Sequence, residues 1–417
     1  MDSNLFDERI SVEAFLGYRY IPEPTVDFPE NVLEAAQANY PSTNDPVKRG
    51  REVVKETFER SVDQHSSTAT HLLPLSGGLD SRLILGGLLD NVDRDQIITV
   101  TFGTPGTGDY EIGQHVADIA GVENYAVDLR PSHFPWSSDR MINVASTYKR
   151  PTHLFRAVAA ILYALERLDI DDPICWSGFM GDPSAGARLP KNESASWDTA
   201  LDKFVEENLV LPELTSDSFD PYHLLPDEPA VGRDVLSYDE QLDFGVRQRY
   251  FIEEPATLKG QFETPFLEDP WLSFMLSLPR EQRRNRRAFH EIALETYPEL
   301  FDGVPTETKA GLPIDASEYH RKVRLATFLL REKSLKAIGR PEPTWVTNHF
   351  DWDVELRRSA ELRDLIGQQL ADLRKRDRVS WLEIDGIWRS HHNGDDNADV
   401  IRQLASLELF LKAEERQ

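Results

Sequence analysis

Thr70 to Asp90 reads THLLPLSGGLDSRLILGGLLD. An apolar run, a glycine pair and an apolar-rich stretch at helical spacing predict a buried strand, a tight turn and a helix. Pro74 removes a ladder N–H, which fits best at the strand's end. The turn is Ser76-Gly77-Gly78-Leu79-Asp80-Ser81. Gly77 and Gly78 permit backbone angles that other residues resist and a close approach to a ligand. Their N–H groups, with those of Leu79 and Asp80, are expected to point outward where the helix begins, a position that suits an anion. Ser76 and Ser81 add hydroxyl donors. Asp80 would repel bare phosphate, so its place here makes sense mainly as a Mg²⁺ ligand. The same residues also make an ordinary turn in which Asp80 and Ser81 cap the helix. No Gly-Lys-Ser/Thr follows, and G-x-G-x-x-G is absent, so neither of the two commonest nucleotide loops is present.

Outward from this stretch the pattern alternates. Asp45-Pro46 opens a helix with Val53, Val54, Phe58 and Val62 on one side. Ile97–Phe102 predicts a second buried strand, Tyr110–Gly121 a helix, Tyr125–Leu129 a strand, Leu154–Leu168 a helix and Pro173–Ser177 a strand. Strands alternating with helices of this length predict an α/β fold with a doubly wound parallel sheet. Past about residue 240 nearly every segment reads as helix. The expected organisation is a connector at 1–45, an α/β domain at 46–190, an acidic helical insertion at 191–240 and a mainly helical C-terminal part at 241–417.

Composition bounds the remaining choices. With 417 residues, 40% hydrophobic and 10% aromatic, the chain can bury a large core and suggests two domains. No stretch approaches the roughly 20 apolar residues that span a bilayer, and the acidic N-terminus lacks the pattern of a secretion signal. The single cysteine, Cys175, excludes an internal disulfide and a multi-cysteine zinc site and is expected in the core. A cytoplasmic location is the default expectation. Seventy-two acidic residues against 46 basic ones give a net charge of −26, which repels nucleic acid and anionic membranes, so neither is an expected partner. The acids are scattered rather than gathered in a patch, as on a salt-adapted protein.

The loop Ser76–Ser81 resembles the SGGxDS signature of the ATP pyrophosphatase family, which splits ATP between its α and β phosphates. Four further stretches are similar to the synthetase domain of asparagine synthetase and its relative β-lactam synthetase. They are ITVTFGTPGTGDYEIGQHVADIAGVENYAVDL (Ile98–Leu129), WSGFMGDPSAG (Trp176–Gly186, against SGEGxDE), ETPFLEDPWLSFMLSLP (Glu263–Pro279) and TKAGLP (Thr308–Pro313). The C-terminal run from Trp381 to Leu411 follows the same family's final helices, so the resemblance covers about residues 45 to 415 in order. It implies an adenine nucleotide α-hydrolase-like fold that binds ATP and Mg²⁺. The loop Ser76–Ser81 would grip the pyrophosphate, while Leu75, Phe102, Ser177 and Gly178 would line the adenosine site. Asp80 and Asp182 would hold Mg²⁺, and Lys309 would lie over the α-phosphate as the catalytic cation. Without that context Lys309 reads as a solvated surface lysine and Asp182 as a turn residue. Pro265-Phe266-Leu267 reads as core packing in either case.

Three departures stand beside the resemblance. Phe179 takes the place of the acidic loop's first Glu, and Pro183 that of its last acid. Arg82 replaces a small hydroxyl residue, predicting either a phosphate contact or a place on the helix surface. At position 2, where glutamine-dependent relatives open a glutaminase domain with cysteine, stands Asp2; Phe15–Thr25 (FLGYRYIPEPT) resembles only the tail of that domain. The expected function is therefore an ATP-dependent, AMP-forming amide ligase. It would activate a small-molecule carboxylate for attack by free ammonia, an amine, or ammonia delivered by a separate subunit. The alternatives are a non-catalytic nucleotide-binding protein and a nucleobase-modifying adenylating enzyme; the acidic surface and the lack of a cysteine motif weigh against the last.

Overall fold

The structure, a computed structural model, describes residues 6, 8–41, 43–155, 157–170, 172–257, 261–306, 311–337 and 350–416. Five strands form one sheet in the order β3-β2-β1-β4-β5. They are β1 His71–Pro74, β2 Ile97–Gly103, β3 Glu123–Asp128, β4 Ile174–Trp176 and β5 Phe262–Glu263. Every pair is parallel, with His71 opposite both Ile97 and Ile174. The chain is therefore an α/β protein, and Pro74 is the last residue of β1, the place expected for it.

Side chains alternate across a strand, and here the alternation sorts them into two cores. Leu72, Val100, Val127 and Cys175 belong to one, together with residues of the helices Arg9–Tyr18, Ser138–Thr147, Val158–Leu168, Ala360–Arg376 and Ala398–Glu415. Leu73, Ile97, Ile174 and Trp176 belong to the other, together with Pro46–Asp63, Leu79–Asn91, Gly108–Ala120, Asp269–Ser277 and Arg287–Thr296. Both faces are thus covered by helices, as a parallel sheet requires, and each cover combines segments distant in sequence. Cys175 is a free, buried thiol. A third cluster packs Tyr18 and Tyr20 against Trp197, Phe204 and Tyr250, which fastens the 191–240 segment to the N-terminal helix.

Local signals set several boundaries. Asp45 caps the helix Pro46–Asp63 by accepting from the Lys48 N–H at 3.0 Å, with Pro46 in the first turn where its missing donor costs nothing. Ser237 and Glu240 form a reciprocal capping box at Tyr238–Leu242. The fifth strand differs from the sequence reading, which expected mainly helix there. Two residues are too few to display an alternation, yet β5 matters. The Glu263 carbonyl accepts the Ser177 N–H at 2.9 Å and so fixes where the loop after β4 begins. Among the described residues no helix is long and apolar enough to cross a membrane.

Candidate functional site

From β1 the sheet grows through β2 and β3 on one side and through β4 and β5 on the other, so strand order reverses between β1 and β4. Ligands of open α/β sheets bind at the carboxyl ends of the strands at such a reversal. Ser76–Ser81 follows β1 and Ser177–Asp182 follows the adjacent β4, so both loops lie there. They touch through Asp80: a Cβ placed on Gly181 would fall 2.7 Å from Asp80 Cγ, and one on Gly178 would fall 3.1 Å from Asp80 Cβ. Only glycine lets the second loop come this close to the Asp80 side chain.

The first loop is laced by side chains. Leu75, buried, donates its N–H to the Val100 carbonyl at 2.9 Å. The Gly77 N–H donates to Asp109 Oδ1 at 2.9 Å, the Gly78 N–H to Ser76 Oγ at 3.0 Å and the Ser76 N–H to Ser81 Oγ at 3.4 Å. Two of the amides expected to face an anion thus have partners within the protein, while those of Leu79 and Asp80 open the helix Leu79–Asn91, where intrahelical acceptors do not exist. Phe102 stands at the end of β2, half-buried.

Arg82 takes neither of the two places expected of it. It is fully buried and donates to the Gly77 carbonyl at 2.9 Å and to the Pro305 carbonyl, bracing the loop from behind. Pro305 leads into the segment that contains Lys309, which lies outside the described residues. On either side of that segment, the Thr306 N–H and hydroxyl both donate to the Leu312 carbonyl, at 3.2 and 2.8 Å.

The second loop is anchored by apolar contacts. Phe179 and Met180 are buried in the core that includes Trp176 and Phe266. Ser177 accepts the Phe179 N–H at 3.2 Å. Met180 holds a left-handed φ of 65°, uncommon for a residue with a long side chain. Asp182 opens the short helix Gly181–Ser184, its side chain about half exposed.

A residue that sequence reading did not single out joins the two loops. Arg286 donates from Nη2 to Asp80 Oδ1 at 2.6 Å, and its Nη1 pairs with Asp182 Oδ1. Its guanidinium lies over the Phe289 ring, 4.3 Å from the centroid. Asn285 and Arg286 have φ of 57° and 61°, two successive left-handed residues just before the helix Arg287–Thr296. Burial pushes the Asp80 carboxyl up to about 8; the Asp182 carboxylate adds to the rise and Arg286 opposes it. Asp109, buried against Gly77, is the other residue the sequence did not flag. Among the described residues no group of three or more His, Cys, Asp or Glu side chains could hold a metal ion. No family model matches this chain, and no curated protein matches it.

Proposed function

We propose that the chain is an ATP-dependent, AMP-forming amide ligase of the asparagine synthetase type, with an adenine nucleotide α-hydrolase-like fold. The observation that carries the reading is the meeting of Asp80 and Asp182. These are the two carboxylates the resemblance assigns to Mg²⁺, and they come from separate loops at the strand-order reversal. Met180 adds a second support. It takes a left-handed conformation where the motif SGEGxDE has glycine, so the backbone suits the motif although the side chain departs from it.

Two carboxylates fit Mg²⁺, which binds through one or two carboxylates together with substrate phosphates. Held between Asp80 and Asp182, the ion would supply positive charge to the phosphate oxygens. The rest falls to the chain itself. The Leu79 and Asp80 amides, at a helix N-terminus, face the phosphates, and Arg82 keeps the loop in shape from behind. A substrate carboxylate oxygen attacks the α-phosphorus, the bond to the β-phosphate oxygen breaks, and pyrophosphate leaves. Lys309 is the cation for the charge that develops there. Ammonia or an amine then attacks the acyl carbon and AMP departs.

Phe179 favours a second reading, a nucleotide-binding protein without turnover, because the motif's first carboxylate is replaced by a ring buried in the core. Pyrophosphate exchange separates the two. The full chain in molar salt, with ATP, Mg²⁺, labelled pyrophosphate and a panel of amino and sugar acids, should exchange label only with the right carboxylate. Lys309→Ala should lower that exchange by about a hundred-fold or more. ATP binding with no exchange for any acid would establish the second reading.

A further inference from the structure

Arg286 reaches the site from the segment before the helix Arg287–Thr296, and both ends of its fork are engaged, one on Asp80 and one on Asp182. The glycines of the second loop let it lie against the Asp80 side chain, and Arg286 bridges Asp80 to Asp182 across the two loops. The side chain is mostly buried, and its Nε is a buried donor without a hydrogen-bond partner. Two successive left-handed residues, Asn285 and Arg286, hold the backbone in its presenting position.

We infer that Arg286 is an exchangeable counter-ion: it and the divalent cation compete for the same pair of carboxylates. The inference rests on the nucleotide site proposed above. With no nucleotide bound, the guanidinium pairs with both Asp80 and Asp182 and keeps a divalent ion from binding alone. When a metal–triphosphate enters, the ion takes the carboxylates and the guanidinium moves to phosphate oxygens, which its planar fork fits in pairs. Metal and nucleotide therefore bind as a couple, and neither carboxylate is left unpaired at any stage.

The test measures binding, not turnover. Mn²⁺ is titrated into the full chain without nucleotide, and free ion is followed by its electron paramagnetic resonance signal. Wild type should bind Mn²⁺ weakly, and Arg286→Gln at least ten-fold more tightly. Arg286→Lys, which keeps a charge but cannot span both acids, should fall between them. Asp80→Asn in the Arg286→Gln background should remove the gain. A non-hydrolysable ATP analogue should tighten Mn²⁺ binding in wild type by ten-fold or more, and much less in Arg286→Gln. Equal Mn²⁺ affinities for wild type, Arg286→Lys and Arg286→Gln without nucleotide would overturn the inference. Failure of the analogue to bind any of the proteins by calorimetry would instead remove the nucleotide reading, leaving the Mn²⁺ comparison as a separate result.

Discussion

The loop after β1 and the loop after β4 each bring one carboxylate to the same guanidinium, yet they are held by opposite means. The first is tied by backbone N–H groups that donate to Asp109, Ser76 and Ser81 and by the buried Arg82, which donates to the Gly77 carbonyl. The second is pinned by the buried side chains of Phe179 and Met180. Its side-chain hydrogen bonds are local: Ser177 Oγ accepts the Phe179 N–H and the Ser184 hydroxyl donates to the Gly181 carbonyl, each at 3.2 Å. The carboxylates differ accordingly: the Asp80 side chain is 18% exposed and that of Asp182 is 53% exposed. One acid is mostly buried and the other stands exposed. A loop fixed by directional bonds keeps its shape independently of its neighbours, whereas a loop fixed by packing keeps it only while the surrounding core is intact.

Removing the brace of the first loop should have the largest effect. Arg82→Met keeps volume but leaves the Gly77 and Pro305 carbonyls without their buried donor. About 3 kcal/mol of stability should be lost in urea unfolding; a loss under about 1 kcal/mol would show that the loop is shaped without it. The tie between the strands comes next. Trp176 Nε1 donates to His71 Nδ1 at 3.0 Å, and burial lowers the His71 pKa to about 4. The unfolded chain takes up this proton near pH 6.5 and the native chain only near 4. The contribution is therefore present above pH 6.5 and is lost as the pH falls toward 4, by up to about 3 kcal/mol. His71→Gln, which keeps an acceptor for the indole, should show a stability–pH curve flatter by that amount across the window.

Two substitutions address the second loop. Gly181→Ala pushes a methyl group against Asp80 and Phe266. A displacement of this size should lower carboxylate-dependent pyrophosphate exchange about a hundred-fold with little change in unfolding; unchanged exchange would mean that the spacing of the acids is not critical. The smallest effect concerns Met180. Met180→Ala and Met180→Gly both lose the buried side chain, but only glycine accepts φ of 65° without strain. The glycine variant should be the more stable of the two by about 1 kcal/mol, the reverse of the order found in a helix.

What the sequence disclosed followed the range of the interactions. The strand, turn and helix around Ser76–Ser81 are local, and glycine and hydrophobic spacing announce them. The cap at Asp45 and the buried Cys175 are equally short-range or compositional signals. Arg82 misled because arginine is almost never fully buried, and nothing nearby in sequence indicates that the Pro305 carbonyl will meet it. Asp109 reads as an ordinary first-turn acid; only the fold brings it to Gly77. Arg286 was invisible for the same reason: it lies in an arginine-rich run, and its partner Asp80 is 206 residues away. The strand β5 was hidden by its length. Lys309 belongs to residues outside the described part, so its assignment rests on the motif TKAGLP.

That long separation has a consequence for synthesis. The Trp176–His71 bond closes over 105 residues and the Arg286–Asp80 pair over 206. At about 5–20 residues per second, the stretch from Asp80 to Arg286 takes about 10–40 s to leave the ribosome. During that interval β1 can pair with β2, but the loop after β4 meets Asp80 without the cation that reconciles their charges. Assembly of this half of the sheet therefore waits for distant chain, and the place where its two acids meet can become native only once Arg286 has emerged.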